Sequence, residues 1–321
     1  MSIQIPQDSR IYVEVALKPA QGSRFQPTGF PDLGAAEFQT PGGQRVVLVE
    51  SAQSVANRLE LACWDEARKD VAQPLAGLPY VVAKHDDGTF LTSSIQEAHR
   101  LNSPYFLESK DTSFMDMLRD ELGALESGHV DLGKLAQVLL RLDPNSLLHG
   151  IFLAKKDLAG GRLRLPRMIS GFIEATEVDT ATSGGVKKDD ADPTGQKLGT
   201  GAKDGFGHVP FSRTEYTGNL KAYFAIDLAQ LRAYALGDSA EQLLFALAWF
   251  KIHRFLRDGL RLRTACDLEI DPQAGGMRVQ RPEGYAPPTL EAVESALPGL
   301  IRACGSAFAN PSVTVVTYRK K

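Results

Sequence analysis

The sequence predicts an α+β fold built on a mainly antiparallel sheet. Three observations carry this. Residues 10–17 alternate apolar Ile11, Val13, Val15 and Leu17 with other residues, the period of a half-buried strand. Strand-like runs recur in pairs around turn residues, as hairpins do: Tyr80 to Lys84 with Thr89 to Thr92 around HDDG, and Leu262 to Ile270 with Met277 to Gln280. From Glu241 to Leu256, Leu244, Leu247, Ala248 and Phe255 recur at helical spacing over a stretch too long for a strand.

The remaining elements follow in order. A Gly/Pro-rich loop runs to Gly43, and Arg45 to Glu50 (RVVLVE) reads as a buried β-branched strand. Ser51 fits a helix N-cap, with Val55, Leu59 and Ala62 on one face and Gln53, Asn57 and Glu60 on another. Acidic helices are predicted near 112–122 and 131–142. The second has Asp131 as its cap, Leu132, Leu135, Val138, Leu139 and Leu142 inward, and Asp143-Pro144 as its stop. From Val178 to Gly218 the chain is rich in Gly, Asp, Lys and Thr and poor in apolar residues until Phe206, which reads as a long flexible excursion. Lys221 to Ile226 reads as a strand, with a short helix from Asp227, a helix near 290–304 and a last strand from Ser312 to Tyr318. The organisation predicted is one domain over 1–321 with two insertions, a largely acidic helical and hairpin segment at 60–142 and a thumb-like excursion at 178–218.

With 321 residues, 43% hydrophobic and 23% charged, the chain has the composition of a globular protein that buries a sizeable core. It has no apolar run near the ~20 residues that span a bilayer, and its start, MSIQIPQDSR, lacks a signal-peptide pattern. Cys63, Cys266 and Cys304 lie far apart, in neither metal nor disulfide spacing. A cytoplasmic protein with no membrane partner is expected. The net charge of −3 argues weakly against nucleic acid, but the distribution is uneven. From 60 to 131, acidic residues outnumber basic ones. Cations cluster at Lys155, Lys156, Arg162, Arg164 and Arg167, and again at Lys251, Arg254, Arg257, Arg261 and Arg263. Such a chain can hold a polyanion or offer complementary faces to copies of itself.

Catalytic signatures are missing from the sequence: no Walker loop, no G-x-G-x-x-G after a strand, no G-x-S-x-G, no H-E-x-x-H. The histidines (His85, His99, His129, His149, His208, His253) are scattered, with no two at i, i+4. No catalytic residue, metal ligand or cofactor is expected.

Four segments set basic and polar residues among apolar ones. In ESAQSVANRLE, Ser51, Gln53, Asn57 and Arg58 can donate to phosphate near a helix N-terminus, although composition alone favours an amphipathic helix with a solvated face. Arg45 opens the strand before it. In RLDPNSLLHGIFLAKK, Asn145, Ser146 and His149 can contact RNA or cap a turn. In GRLRLPRMISGFIEA, Arg162 and Arg164 alternate with Leu163 and Leu165 and so share one side of a strand, and Arg167 follows Pro166. Three arginines in six residues favour phosphate over simple edge-strand solubility. In GFGHVPFSRTEYTG, Phe206, His208, Phe211, Arg213 and Tyr216 interleave aromatic and basic types, as single-stranded RNA binding needs, or anchor the chain's return to the core. Lys187 and Lys188 add cations to the excursion.

These segments, with SGGVK and GLRLRTACDLE, carry a resemblance. The sequence resembles the RAMP-type backbone subunit of type I-G (formerly I-U) CRISPR effector complexes, a divergent branch of the Cas-seven family, from Glu50 to Glu269. The resemblance implies a modified RRM-like, ferredoxin-type palm with a β-hairpin thumb among its insertions. It implies several copies stacked along a guide RNA (crRNA), other effector-complex subunits of the Cascade kind as partners, and bases left free to pair with target DNA; the acidic stretch before Arg141 and the basic clusters after it suit a head-to-tail filament of such copies. DNA cutting would reside in a separate nuclease-helicase. Related RNA-cleaving systems carry a catalytic Asp on a loop, and no residue here aligns with it. A non-catalytic RNA-binding subunit is the leading reading. The alternatives are an endoribonuclease that processes guide or target RNA, using His149 or His208 as acid/base, and a protein-only assembly subunit.

Overall fold

The computed structural model describes residues 3–30, 33–126, 128–195 and 205–319. Strand β1 (Arg10–Pro19) turns Ile11, Val13, Val15 and Leu17 into the core, as its alternation requires. β2 (Gly29–Phe30) pairs with β3 (Gly34–Ala35), and β4 (Glu37–Gln39) with β5 (Arg45–Glu50). Helix α1 (Ala52–Leu61) begins where the Ser51 side chain accepts the Ser54 N–H. β6 (Trp64–Asp65) pairs with β7 (Asp70–Val71), and β8 (Tyr80–Lys84) with β9 (Phe90–Ser93). Next come α2 (Pro104–Leu107), α3 (Ser113–Leu122), α4 (Leu132–Leu142) and α5 (Pro144–His149). Asp131 caps α4 through the Lys134 N–H, and Pro144, which cannot continue it, starts α5.

Short strands β10 (Ile151–Leu153) and β11 (Leu163–Leu165) pair, followed by two 19-residue strands, β12 (Ile169–Lys187) and β13 (Val209–Asp227). Then follow α6 (Leu228–Ala233), α7 (Asp238–Asp258), β14 (Arg261–Arg263), β15 (Cys266–Ile270), β16 (Met277–Arg281), α8 (Leu290–Ala303) and β17 (Val313–Thr317).

The main sheet is antiparallel and runs β14-β15-β1-β13-β12-β5-β4, with β16 beside β1. One face buries Ile169, Ile173 and Ala175 of β12 and Leu220, Ala222, Phe224 and Ile226 of β13. The helices α1 and α7 pack there, Phe224 meeting Phe255 edge to face at 6.2 Å. α7 is buried almost all round, including Trp249, Phe250 and Lys251, so it is the central pillar of the core. Each large apolar side chain it hides contributes about 1.5–3 kcal/mol of transfer free energy. The opposite face of the sheet is only half-covered.

Three expectations change. Residues 262–270 and 277–280 do not form a hairpin with each other. β14 and β15 make the tight hairpin, while β15 and β16 each pair with β1. The hairpin at 80–92 is not self-contained either, because β17 adds in parallel to β8 and joins the chain's last strand to its acidic part. The excursion from 178 to 218 is strand as far as Lys187 and again from Val209, paired in register from Asp179↔Thr217 to Lys187↔Val209. A main-chain ladder satisfies its backbone without a core, which composition does not report. The lysines at 197 and 203 lie outside the described residues.

Candidate nucleic-acid interface

Two chain segments that the sequence singles out, 141–156 and 160–175, line one open groove of about 900 Å³. β11 places exposed Arg164 on its rim, since Leu163 and Leu165 point inward. Arg167 lies two residues beyond the strand, and its Nη1 donates to the Ala52 carbonyl at 2.9 Å, which ties the groove to the start of α1. α5 supplies His149, and Gly150 turns the chain into β10 at φ 76°. A Cβ on Gly150 would stand 2.7 Å from the Leu165 carbonyl, so only glycine lets α5 come this close to β11. Exposed Phe152 and Leu132 form an apolar wall.

A buried polar network forms the floor. Arg100 donates from Nε and Nη2 to the two Glu60 oxygens at 2.6 and 2.8 Å. Asn145 Nδ2 donates to Glu60 Oε1 at 2.6 Å, and its Oδ1 accepts from Lys251 Nζ at 2.6 Å. Ser146 donates to Asp143 at 2.8 Å. Arg100 itself sits at φ 51°, a left-handed conformation that costs a non-glycine residue roughly 1–2 kcal/mol and that the network holds in place. Burial pushes the Asp143 carboxyl up to about 6, with Glu60 adding to the effect. Burial also drives His149 well below its ordinary value, reinforced by the charges of Lys251, Arg100 and Arg167, so its ring is neutral. Both His149 ring nitrogens are buried without a hydrogen-bond partner in a side chain that lines the groove. The groove therefore presents fixed positive charge beside a buried network in which Arg100 is paired with Glu60, an arrangement that attracts an anion without surrendering that internal ion pair.

A second groove, of about 880 Å³, lies at the root of the β12–β13 ribbon. It is lined by the hydroxyls of Thr180, Thr182, Ser212 and Thr214 with Arg45, Arg213 and Arg263. Each of these arginines has a carboxylate partner: Arg45 meets Glu37 at 2.9 Å, Arg213 meets Glu215 at 3.6 Å, and Arg263 meets Glu50. Beyond a bulge between Thr176 and Asp179, the ribbon is largely exposed on both faces. Gly185, in SGGVK, leaves room for the Phe211 ring to lie over the backbone, where a Cβ would come within 3.2 Å of it. Near the tip stand exposed Val186, Lys187, Lys188, Phe206 and His208. The Asp189 carboxylate gathers the N–H groups of Ala191, Asp192 and Gly207, which holds it below the usual carboxylate range, and its own N–H donates to His208 Nδ1 at 3.0 Å.

The expected contacts thus divide. Arg164, Arg167 and His149 share the first groove. Arg45 and Arg213 belong to the second, and Lys187, Lys188, Phe206 and His208 to the tip. Gln53 and Asn57 are exposed on α1. Two others turn inward: Arg58 donates to Glu50 and to the Leu262 carbonyl at 2.7 Å, and Asn145 is buried. Arg162 is exposed but precedes β11, so it does not share a strand side with Arg164, and it binds the carbonyls of Leu125 and Gly128. Ser51 serves as a cap. The basic cluster at 251–263 is not a free cationic face: Lys251 is buried, Arg254 and Arg257 pair with Asp258, and Arg261 with Asp267. Sequence reasoning missed Glu60, Arg100 and Lys251 as one unit because 40 to 191 residues separate them. It also missed the ribbon hydroxyls, whose alternation at 180/182 and 212/214 was the available signal. Among the described residues, no group of three or more His, Cys, Asp or Glu could hold a metal ion, and no helix is long and apolar enough to cross a membrane.

The chain thus combines an α+β fold, a mainly antiparallel sheet and an open groove carrying two arginines. The family model for CRISPR-associated protein GSU0053 matches residues 11–180, more than half of the 321. The chain belongs to that family, and it is a RAMP-type, Cas-seven CRISPR protein. Among solved structures it is similar to a chain of a CRISPR RNA-guided surveillance complex in a pre-nicking state, with 15% identity, TM-score 0.40, and 82% of this chain covering 74% of that one. It is also similar to Csc2 of Thermofilum pendens, with 11% identity, TM-score 0.31, and 93% of this chain covering 76% of that one. No curated protein sequence matches it.

Proposed function

We propose that this chain is a non-catalytic guide-RNA-binding backbone subunit of a CRISPR interference complex, stacking in several copies along the guide and leaving its bases free to pair with target DNA. The observation that carries the reading is the convergence of Arg164, Arg167 and His149 on one groove, within a member of a CRISPR-associated family. Guide phosphates pass along the two arginines, which hold charge that the paired floor does not cancel. The order β15-β1-β13-β12, with α1 after the first strand and α7 after the hairpin, supports an RRM-like palm. The exposed ribbon, with Val186, Phe206 and Phe211 near its end, supports a thumb that pushes between bases. The endoribonuclease reading is not favoured: both ring nitrogens of His149 are buried, and His208, whose Nδ1 accepts the Asp189 N–H, stands at the ribbon tip away from the groove.

The test is to express the protein with a CRISPR array and sequence the RNA that co-purifies. Guide RNA protected at regular intervals is the expected result. Protein free of nucleic acid, or RNA that shortens on incubation and is spared by His149→Ala or His208→Ala, contradicts the proposal.

A further inference from the structure

The half-covered face of the main sheet carries aromatic rings where a core has no use for them. Cross-strand partners share a face, so the register writes out its rows. One row reads Arg281, Tyr12, Ala225, Ser170 from β16 to β12, and the next reads Arg278, Glu14, Tyr223, Phe172. Tyr12 is 39% exposed, while its neighbours Ile11 and Val13 on the other face are 0% and 1%. Tyr223 and Phe172 are half-buried and stacked, ring centroids 5.0 Å apart and planes 22° apart.

We propose that this face is a second nucleic-acid site, on which Tyr12, Tyr223 and Phe172 stack the bases of a single strand. The surroundings select the occupant. Glu14, Lys221, Ser170 and Glu174 stand among the rings, whereas the centre of a protein–protein interface is depleted of charge. The charges largely cancel: Lys221 meets Glu14 at 3.3 Å, and Arg10 meets Asp227 at 3.2 Å. Arg278 and Arg281 have no carboxylate partner among the described residues, and by register they flank Glu14 and Tyr12. Two guanidinium groups outside any salt bridge among the described residues, on a face with one exposed and two half-buried rings, suit a phosphate backbone whose bases lie on the rings. Tyr12 and Tyr223 are diagonal neighbours, roughly 7–8 Å apart at such positions, so they offer two separate platforms. The site uses none of the groove residues and stands without the guide-groove reading.

The experiment is photo-crosslinking of a 4-thiouridine-containing 15-mer to the full chain, with peptide mapping, and anisotropy titrations of the same oligomer. Crosslinks are expected in the peptides holding Tyr12 and Tyr223. Tyr12→Ala and Tyr223→Ala are each expected to weaken binding by about 5- to 100-fold, with Tyr12→Phe restoring it. The crosslinks should persist in Arg164→Ala/Arg167→Ala protein, which separates this site from the groove. Folded variants, by circular dichroism, with unchanged affinity and no crosslink at either tyrosine would overturn the proposal. So would a loss of self-association without RNA while RNA affinity stays constant, because the face would then be a contact between copies.

Discussion

Replacing Glu60 with Gln tests the groove floor. Glu60 is 2% exposed and accepts both Arg100 bonds and the Asn145 amide, at 2.6, 2.8 and 2.6 Å. The amide keeps the shape but removes the carboxylate that is ion-paired with a guanidinium that is 8% exposed. An uncompensated buried charge costs about 3–5 kcal/mol. The positive φ of Arg100 adds to the loss, because the network no longer holds that backbone. Urea denaturation should therefore show Glu60→Gln less stable by about 3–5 kcal/mol at unchanged m-value. Glu60→Gln with Arg100→Met removes both charges and should recover much of the loss. A single variant within 1 kcal/mol of wild type, or a double variant no better than the single, would refute the network as a stabilising unit.

Asp143, with a folded value near 6 against an ordinary 3.8, favours folding below about pH 4, and this contribution is lost as pH rises through 6. Asp143→Asn should thus be more stable than wild type at pH 7.5, on the order of 2 kcal/mol, and equal to it near pH 4, by urea titration at both. His149 has the opposite sign: its folded value is depressed, so its contribution is present above pH 6.5 and lost as pH falls, and His149→Gln should lack that loss. Gly150→Ala should destabilise by more than 1 kcal/mol in thermal unfolding, through the 2.7 Å approach to Leu165 and the positive φ, and should weaken RNA binding in parallel.

The fold was legible in sequence where the interactions are local. Ile11, Val13, Val15 and Leu17 announce β1, the periodicity at 241–256 announces α7, and Asp131 and Pro144 mark the limits of α4. It was illegible where partners are distant. Nothing local says that β17 joins β8 or that β16 prefers β1 to β15, since those choices depend on which edge the finished sheet leaves open. The ribbon at 178–218 looked unable to order because apolar composition was weighed and ladder bonds were not. For the site, the Leu-Arg alternation at 163–165 correctly sent Arg164 outward. Arg58 and Asn145 turn inward for one reason that the sequence does not display: the carboxylates that draw them, Glu50 and Glu60, lie on a strand and a helix whose proximity only the fold creates.

The groove's claim to RNA phosphates is tested most directly by titrating single-stranded RNA across salt for wild type and for Arg164→Ala/Arg167→Ala. Each phosphate contact on a single strand contributes about 0.7 to the slope of log affinity against log salt. Two lost contacts should flatten it by about 1.4, with weaker binding at low salt and an unchanged circular dichroism spectrum. A double variant with the wild-type slope and affinity would mean that the guide does not run along this groove.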